Sequence, residues 1–289
     1  MLDLFESHRV HATWAIVGLL FFDNRDELLA NLPTPWPNYR QATLSSYSRL
    51  LEIGPNESSD PLHYGLSLIK RIKSLPTQEI ASHTFSHYYC LEEGQDETTF
   101  RADLVAAKNA ASRIGVEMRS LVFPRNQVRR SYLPVCRQAG FDVFRGTANF
   151  WAYRSRKRTD EKPWTRAARL ADSCMPLSGH QTYAQATQID DLVDVPASLL
   201  LRPVSVRPGY LDRLRLSRIL KAMHYAAKSD RVFHLWWHPE NFGTHVRENL
   251  ELLAAILENF RLLKDQYGMT SSTMGEVATS MRSPKSAAA

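Results

Sequence analysis

The chain has 289 residues, 44% of them hydrophobic, with 36 Lys and Arg against 30 Asp and Glu and a formal net charge of +6. That is enough apolar sequence for a large core, and the length suits two ordinary domains or one α/β barrel. Three cysteines, Cys90, Cys136 and Cys174, exclude a disulfide framework, and no run of about 18 apolar residues offers a membrane span.

No signal peptide is visible, so the expected location is the cytoplasm. No Gly/Ser/Pro-rich linker or internal repeat divides the sequence, so a single domain is expected over residues 1–281, with residues 282–289 as a disordered tail. In chain order, Leu2 to Arg9 is predicted as a helix on the stripe of Leu2, Leu4 and Phe5. Thr13 to Val17 is an apolar strand bounded by Gly18, and Pro33, Pro35 and Pro37 force an irregular stretch. Leu66, Ile69 and Ile72 define a helix stopped by Ser74-Leu-Pro76, and Glu79-Ile-Ala81 ends a short strand. Phe100, Leu104, Ala107 and Ala111 mark a helix over 98–114, ended by Gly115. Leu121-Val-Phe123 is a strand cut by Pro124, Ser131 to Gln138 a helix, and Val143-Phe144 the start of another strand. A basic amphipathic helix over 211–227 precedes a strand over 232–237 and a long helix over 247–266. Alternating strands and helices predict a parallel α/β sheet or barrel.

The densest chemistry lies in His83-Thr-Phe-Ser-His87, just past a strand end. Histidines at i and i+4 share one face of a helical turn and can reach one divalent ion, although two surface histidines would read the same way. On the strand over 232–237, alternation puts His234 and Trp236 on one face, continued by His238. His238 lies at the strand's C-terminal end, where it suits general acid work or bonds a backbone carbonyl as a core histidine. His234, deeper in the same strand, reads as structural or as a support behind the site. Trp236, as readily a core residue, and Asn241 are the candidate substrate contacts. Residues 125–170 hold 12 Lys and Arg against 3 Asp and Glu, a local charge of +9. That patch can hold phosphate groups or anionic glycans, or it is a solvated loop; nothing in it matches a nucleic-acid motif.

His83-Thr84-Phe85-Ser86-His87 fits the H-[ST]-x-x-H motif of the polysaccharide deacetylase family, the NodB-homology or carbohydrate esterase 4 proteins. His11-Ala-Thr-Trp-Ala-Ile-Val-Gly18 looks like that family's A-T-F-F-x-x-G strand, and Val232-Phe-His-Leu-Trp-Trp-His238 resembles its late strand ending in histidine. The likeness continues through Arg169-Leu-Ala-Asp-Ser-Cys-Met-Pro-Leu-Ser-Gly179 and Val195-Pro-Ala-Ser198 to Thr273-Met-Gly-Glu276. It implies an irregular (β/α) barrel and a metal-dependent hydrolase removing an N-acyl group, usually acetyl, from an amino sugar or polysaccharide. Within it, His83 and His87 are ligands of a divalent metal, zinc first, and His238 is the acid that protonates the leaving amine. No nucleic-acid or membrane partner is implied.

The sequence departs from the family in two places. The acidic T-F-D-D-G motif of the family's first strand has no counterpart, because the helix that should follow it begins at Met1; Asp3 and Glu6 lie within that helix. The barrel is therefore expected to lack its first strand, and an inactive glycan-binding or scaffold member of the same fold is the alternative. The family's R-x-P-[FY]-G motif is replaced by Phe123-Pro-Arg-Asn-Gln127, so Arg125 either orients a carboxylate or is one arginine of a basic loop.

Overall fold

A computed structural model describes residues 1–204 and 209–282. The chain opens with α1 (Leu2–His8), β1 (Ala12–Ile16), α2 (Arg25–Ala30), α3 (Leu66–Lys73) and β2 (Gln78–Ser82). It continues through α4 (Glu97–Ser112), β3 (Ser120–Leu121), α5 (Leu133–Gln138), β4 (Val143–Phe144), α6 (Pro163–Asp172), β5 (Thr187–Ile189), β6 (Leu192–Asp194) and β7 (Leu199–Leu200). The last elements are α7 (Tyr210–Lys228), β8 (Leu235–Trp236), α8 (Val246–Tyr267) and α9 (Met274–Arg282).

The periodic apolar positions are the ones buried. Leu66, Ile69 and Ile72 of α3 turn inward, as do Leu253, Ile256, Leu257, Phe260 and Leu263 of α8. Each such side chain contributes roughly 1.5–3 kcal/mol when fully buried. Helix α4 starts where Asp96 and Thr99 cap each other's backbone N–H groups, and α8 stops at Gly268, whose φ of 71° suits a residue without Cβ.

A six-stranded sheet runs β1-β2-β3-β4-β6-β5, parallel throughout except for the β5–β6 pair. β7 and β8 form a separate parallel pair, Leu199 beside Leu235 and Leu200 beside Trp236. One segment links the two. Val195 and Ala197 donate their N–H groups to Phe144 and Gly146 on one side, and Leu201 donates to Trp236 on the other. The two outer strands, β1 and β8, meet through α1, whose Phe5 ring lies 6.0 Å from Trp14 and 6.0 Å from Trp237. The architecture is thus a mixed α/β fold with a mostly parallel, curled sheet.

Several expected elements change. The strand over 232–237 shrinks to Leu235–Trp236, because its hydrogen-bonded neighbour β7 is itself two residues long. The helix expected from Ser131 divides into a 3-10 turn, Arg130–Tyr132, and α5, with Pro134 in the first α-helical turn. Arg282 does not belong to a tail: it ends α9 and donates to Asp142 Oδ1 at 2.8 Å. Residues 283–289 of that tail lie outside the described residues. Among the described residues no helix is long and apolar enough to cross a membrane, and Cys90, Cys136 and Cys174 are free thiols.

Candidate active site

Four candidate side chains lie just past the C-terminal ends of parallel strands: His83 after β2, Arg125 after β3, Arg145 after β4 and His238 after β8. That end of an α/β sheet is where loops can converge on a ligand. His83, Arg125, Arg145, Trp236 and His238 line one cavity of about 510 Å³.

The segment joining the two histidines is not the helical turn expected from their spacing. Thr84 and His87 take positive φ angles of 64° and 58°, which breaks a helix and holds two non-glycine residues in sparsely populated backbone. Hydrogen bonds hold it there. Asp103, reaching in from α4, accepts from the backbone N–H of Phe85 at 2.6 Å and of Ser86 at 3.2 Å, and from the Ser86 hydroxyl. The N–H groups of Gly18 and Leu19 reach the carbonyls of Thr84 and Phe85. Gly18 must be glycine, because a Cβ there would stand 2.5 Å from the Phe85 ring and 2.8 Å from its Cα. The outcome still pairs the imidazoles: their ring centroids are 4.8 Å apart at an interplanar angle of 69°.

Their protonation states follow from the surroundings. His83 Nδ1 lies 2.7 Å from the Val122 carbonyl oxygen, which can only accept, so Nδ1 carries the proton and Nε2 is left with its lone pair. Desolvation pushes the His83 pKa well below the usual imidazole range, with further lowering from His87 and Arg145. Desolvation, helped by Arg125, lowers His87 to about 4. Both rings are therefore neutral donors at pH 7, and His83 has the carbonyl partner that commonly fixes a metal-binding histidine. The pair alone supplies two neutral imidazoles of the kind that bind divalent ions. A third ligand is missing: among the described residues no group of three His, Cys, Asp or Glu side chains could hold a metal.

His238 is exposed and caps the 3-10 helix Pro239–Thr244, with its ring 5.5 Å from that of Trp236; its positive form would act on both His83 and His87. Arg125 lies over the Tyr89 ring at 4.5 Å, and among the described residues no carboxylate pairs with it. Asn241 is exposed and is not among the residues lining the cavity; its backbone N–H bonds the His238 carbonyl. His234 Nδ1 is buried and, among the described residues, without a hydrogen-bond partner, and burial and then Arg145 lower the His234 pKa to about 4.

Two residues that shape this site escaped the sequence reading. Arg145 stacks on Trp236 at 4.3 Å and donates to Asn126 Oδ1 at 2.6 Å. Burial alone lowers its pKa to about 9, so it stays charged at neutral pH. Its signal was its position directly after Val143-Phe144, at a strand's C-terminal end. Asp103 was legible as a lone carboxylate on the apolar stripe of Phe100, Leu104 and Ala107.

No family model matches the sequence, and no curated protein sequence matches it. Among solved structures, the fold is similar to that of the 4-alpha-glucanotransferase from Thermococcus litoralis, at 12% identity and a TM-score of 0.45. The likeness covers 96% of this chain and 40% of that one, so the chain spans well under half of that enzyme's length.

Proposed function

We propose that the protein is a metal-dependent hydrolase of the polysaccharide deacetylase type, removing an acetyl or related acyl group from an N-acylated amino sugar. The observation carrying this reading is the neutral His83–His87 pair, set 4.8 Å apart past the end of β2, with His83 and His238 on one cavity. In this reading the curled sheet is a NodB-type barrel, open between β1 and β8.

A divalent ion, zinc by its preference for imidazole, would supply carbonyl polarisation and a water acidified toward neutral pH. The chain's own residues do the rest. His83 and His87 offer the ligand nitrogens, and the Val122 carbonyl holds the His83 ring in the required tautomer. His238, reachable from solvent, delivers a proton to the leaving amine nitrogen. Arg145 fixes Trp236 beneath its guanidinium and presents positive charge where the amide oxygen becomes negative. The cavity's two carboxylates, Glu161 and Asp212, are held by Arg169 and Arg215 at 2.6 and 3.0 Å, so neither stands ready as general base.

That gap favours a second reading, a glycan-binding member of the same fold without turnover. Zinc analysis after dialysis, combined with acetate release from N-acetylated oligosaccharides, separates the two. Stoichiometric zinc that disappears in both His83→Ala and His87→Ala, with acetate release by the parent, supports the hydrolase. Zinc content unchanged in both variants removes the pair from metal binding, and sugar binding without acetate release selects the second reading.

A further inference from the structure

The cavity that contains His83 and His238 extends into a basic chamber. Among the described residues, ten arginines and one lysine line it, against two carboxylates. Three of those arginines are held by carboxylates, and Arg125, Arg154, Arg158 and Arg166 are exposed to solvent. Arg169 holds Glu161 at 2.6 Å, Arg215 holds Asp212 at 3.0 Å, and Arg218, 4% exposed, lies 3.6 Å from Asp172 and donates to the Gly179 carbonyl. Arg202, on the segment just past β7, differs from the four exposed arginines in its burial. Among the described residues it has no hydrogen bond and no ion pair, yet it is half-buried among these other arginines. Burial, and after it Arg215, lowers its pKa, with Arg169 adding to the effect. A cation held against like charges in a partly desolvated chamber is costly unless an anion joins it. Arg145 partly resembles it near the histidines: it is stacked on Trp236 and donates to Asn126 Oδ1, but among the described residues its Nε has no partner and it has no carboxylate.

We infer that this chamber binds a phosphoryl group carried by the substrate, so that the amino sugar is presented as a glycosyl phosphate or diphosphate and not as a neutral polymer. Guanidinium forks converging on one chamber suit the several oxygens of a phosphoryl group. The volume of about 510 Å³ is that of a site for one small ligand. The placement rests on the hydrolase reading, with the sugar amide at His83 and His238 and the phosphoryl group toward Arg202. The charge preference itself does not need turnover.

Calorimetric titration of the full chain distinguishes these. The probes are N-acetylglucosamine, its anomeric phosphate, and the uridine-diphosphate conjugate of the same sugar. The phosphorylated forms should bind at least about tenfold more tightly than the neutral sugar, and Arg202→Gln should erase about tenfold of that preference while leaving the neutral sugar unchanged. Arg202→Lys should keep part of the preference, and Arg261→Gln, a charge loss on the exposed face of α8, should change nothing. Preference for the diphosphate conjugate over the simple phosphate names the nucleotide form as the source. Equal binding of neutral and phosphorylated sugars, no binding of any probe, or equal loss for both in Arg202→Gln overturns the inference. If Arg202→Gln does not fold, the wild-type preference and its competition by inorganic phosphate decide alone. Acetate release is scored separately: a phosphoryl preference without release leaves this inference standing and the hydrolase reading fallen.

Discussion

Asp103 carries the conformation of the histidine loop, and replacing it by alanine tests that directly. The carboxylate is 1% exposed and accepts four donors: the N–H groups of Phe85 and Ser86, the Ser86 hydroxyl, and the Tyr47 hydroxyl at 3.4 Å. The hydroxyls can turn elsewhere; the two N–H groups cannot. A buried donor left unsatisfied costs about 1–3 kcal/mol, so Asp103→Ala should lose roughly 2–5 kcal/mol at pH 7. The loss depends on pH with a definite sign. Burial raises the Asp103 pKa from 3.8 to about 6 against the lowering effect of its hydrogen bonds. The folded state thus binds this proton more tightly than the unfolded chain. Its contribution is complete below about pH 4 and is lost as pH rises through about 6, an amount on the order of 3 kcal/mol. Urea unfolding of wild type and Asp103→Ala at pH 4.5 and pH 7.5 checks both statements. The difference between them should be larger at the acidic pH. An Asp103→Ala protein as stable as wild type, or a difference that grows with pH, would refute this account of the loop.

Gly18→Ala should lower stability by about 1–3 kcal/mol through overpacking, because the new Cβ meets the Phe85 backbone as well as its ring; thermal unfolding reads the loss, and an unchanged midpoint would show that the loop yields freely. Arg145→Gln should raise the His234 titration midpoint from about 4 while leaving it below 6.5, since Arg145 is the second cause of its lowering and burial the first. Proton NMR of the His234 ring across pH measures this, and an unmoved midpoint would place the Arg145 charge away from that ring.

Helices with long apolar stripes were legible because the stripe is the cause of their burial: α3, α4, α7 and α8 lie within two residues of their expected bounds. The short elements were not. α2 and strands β5, β6 and β7 span at most six residues each, too few for periodicity to declare itself, and α6 buries only Thr165 and Asp172, so it buries no apolar stripe. At the site, the two histidines do lie side by side, but not for the reason their spacing gave. Helical geometry would bring residues at i and i+4 together; here two left-handed residues and the Asp103 carboxylate bring them together instead. Trp14 and Trp237 sat in separate strands with nothing in the sequence to relate them, and Phe5 joins them only in three dimensions.

The charge around the histidines sets a condition on any metal placed there. Both imidazoles are neutral, Arg125 and His238 act on His87, and Arg145 and His238 act on His83. A divalent cation at this pair would meet repulsion from the arginines and, within the described residues, no carboxylate to offset it. Two imidazoles contribute donor atoms but no negative charge. Residues 205–208 and 283–289 hold no Asp or Glu, so the proposed hydrolase would receive its negative charge from the ligand. An anionic ligand in the arginine-lined chamber would lie in the same cavity as His83 and relieve part of that repulsion, so occupancy of the chamber and occupancy of the histidine pair should favour one another.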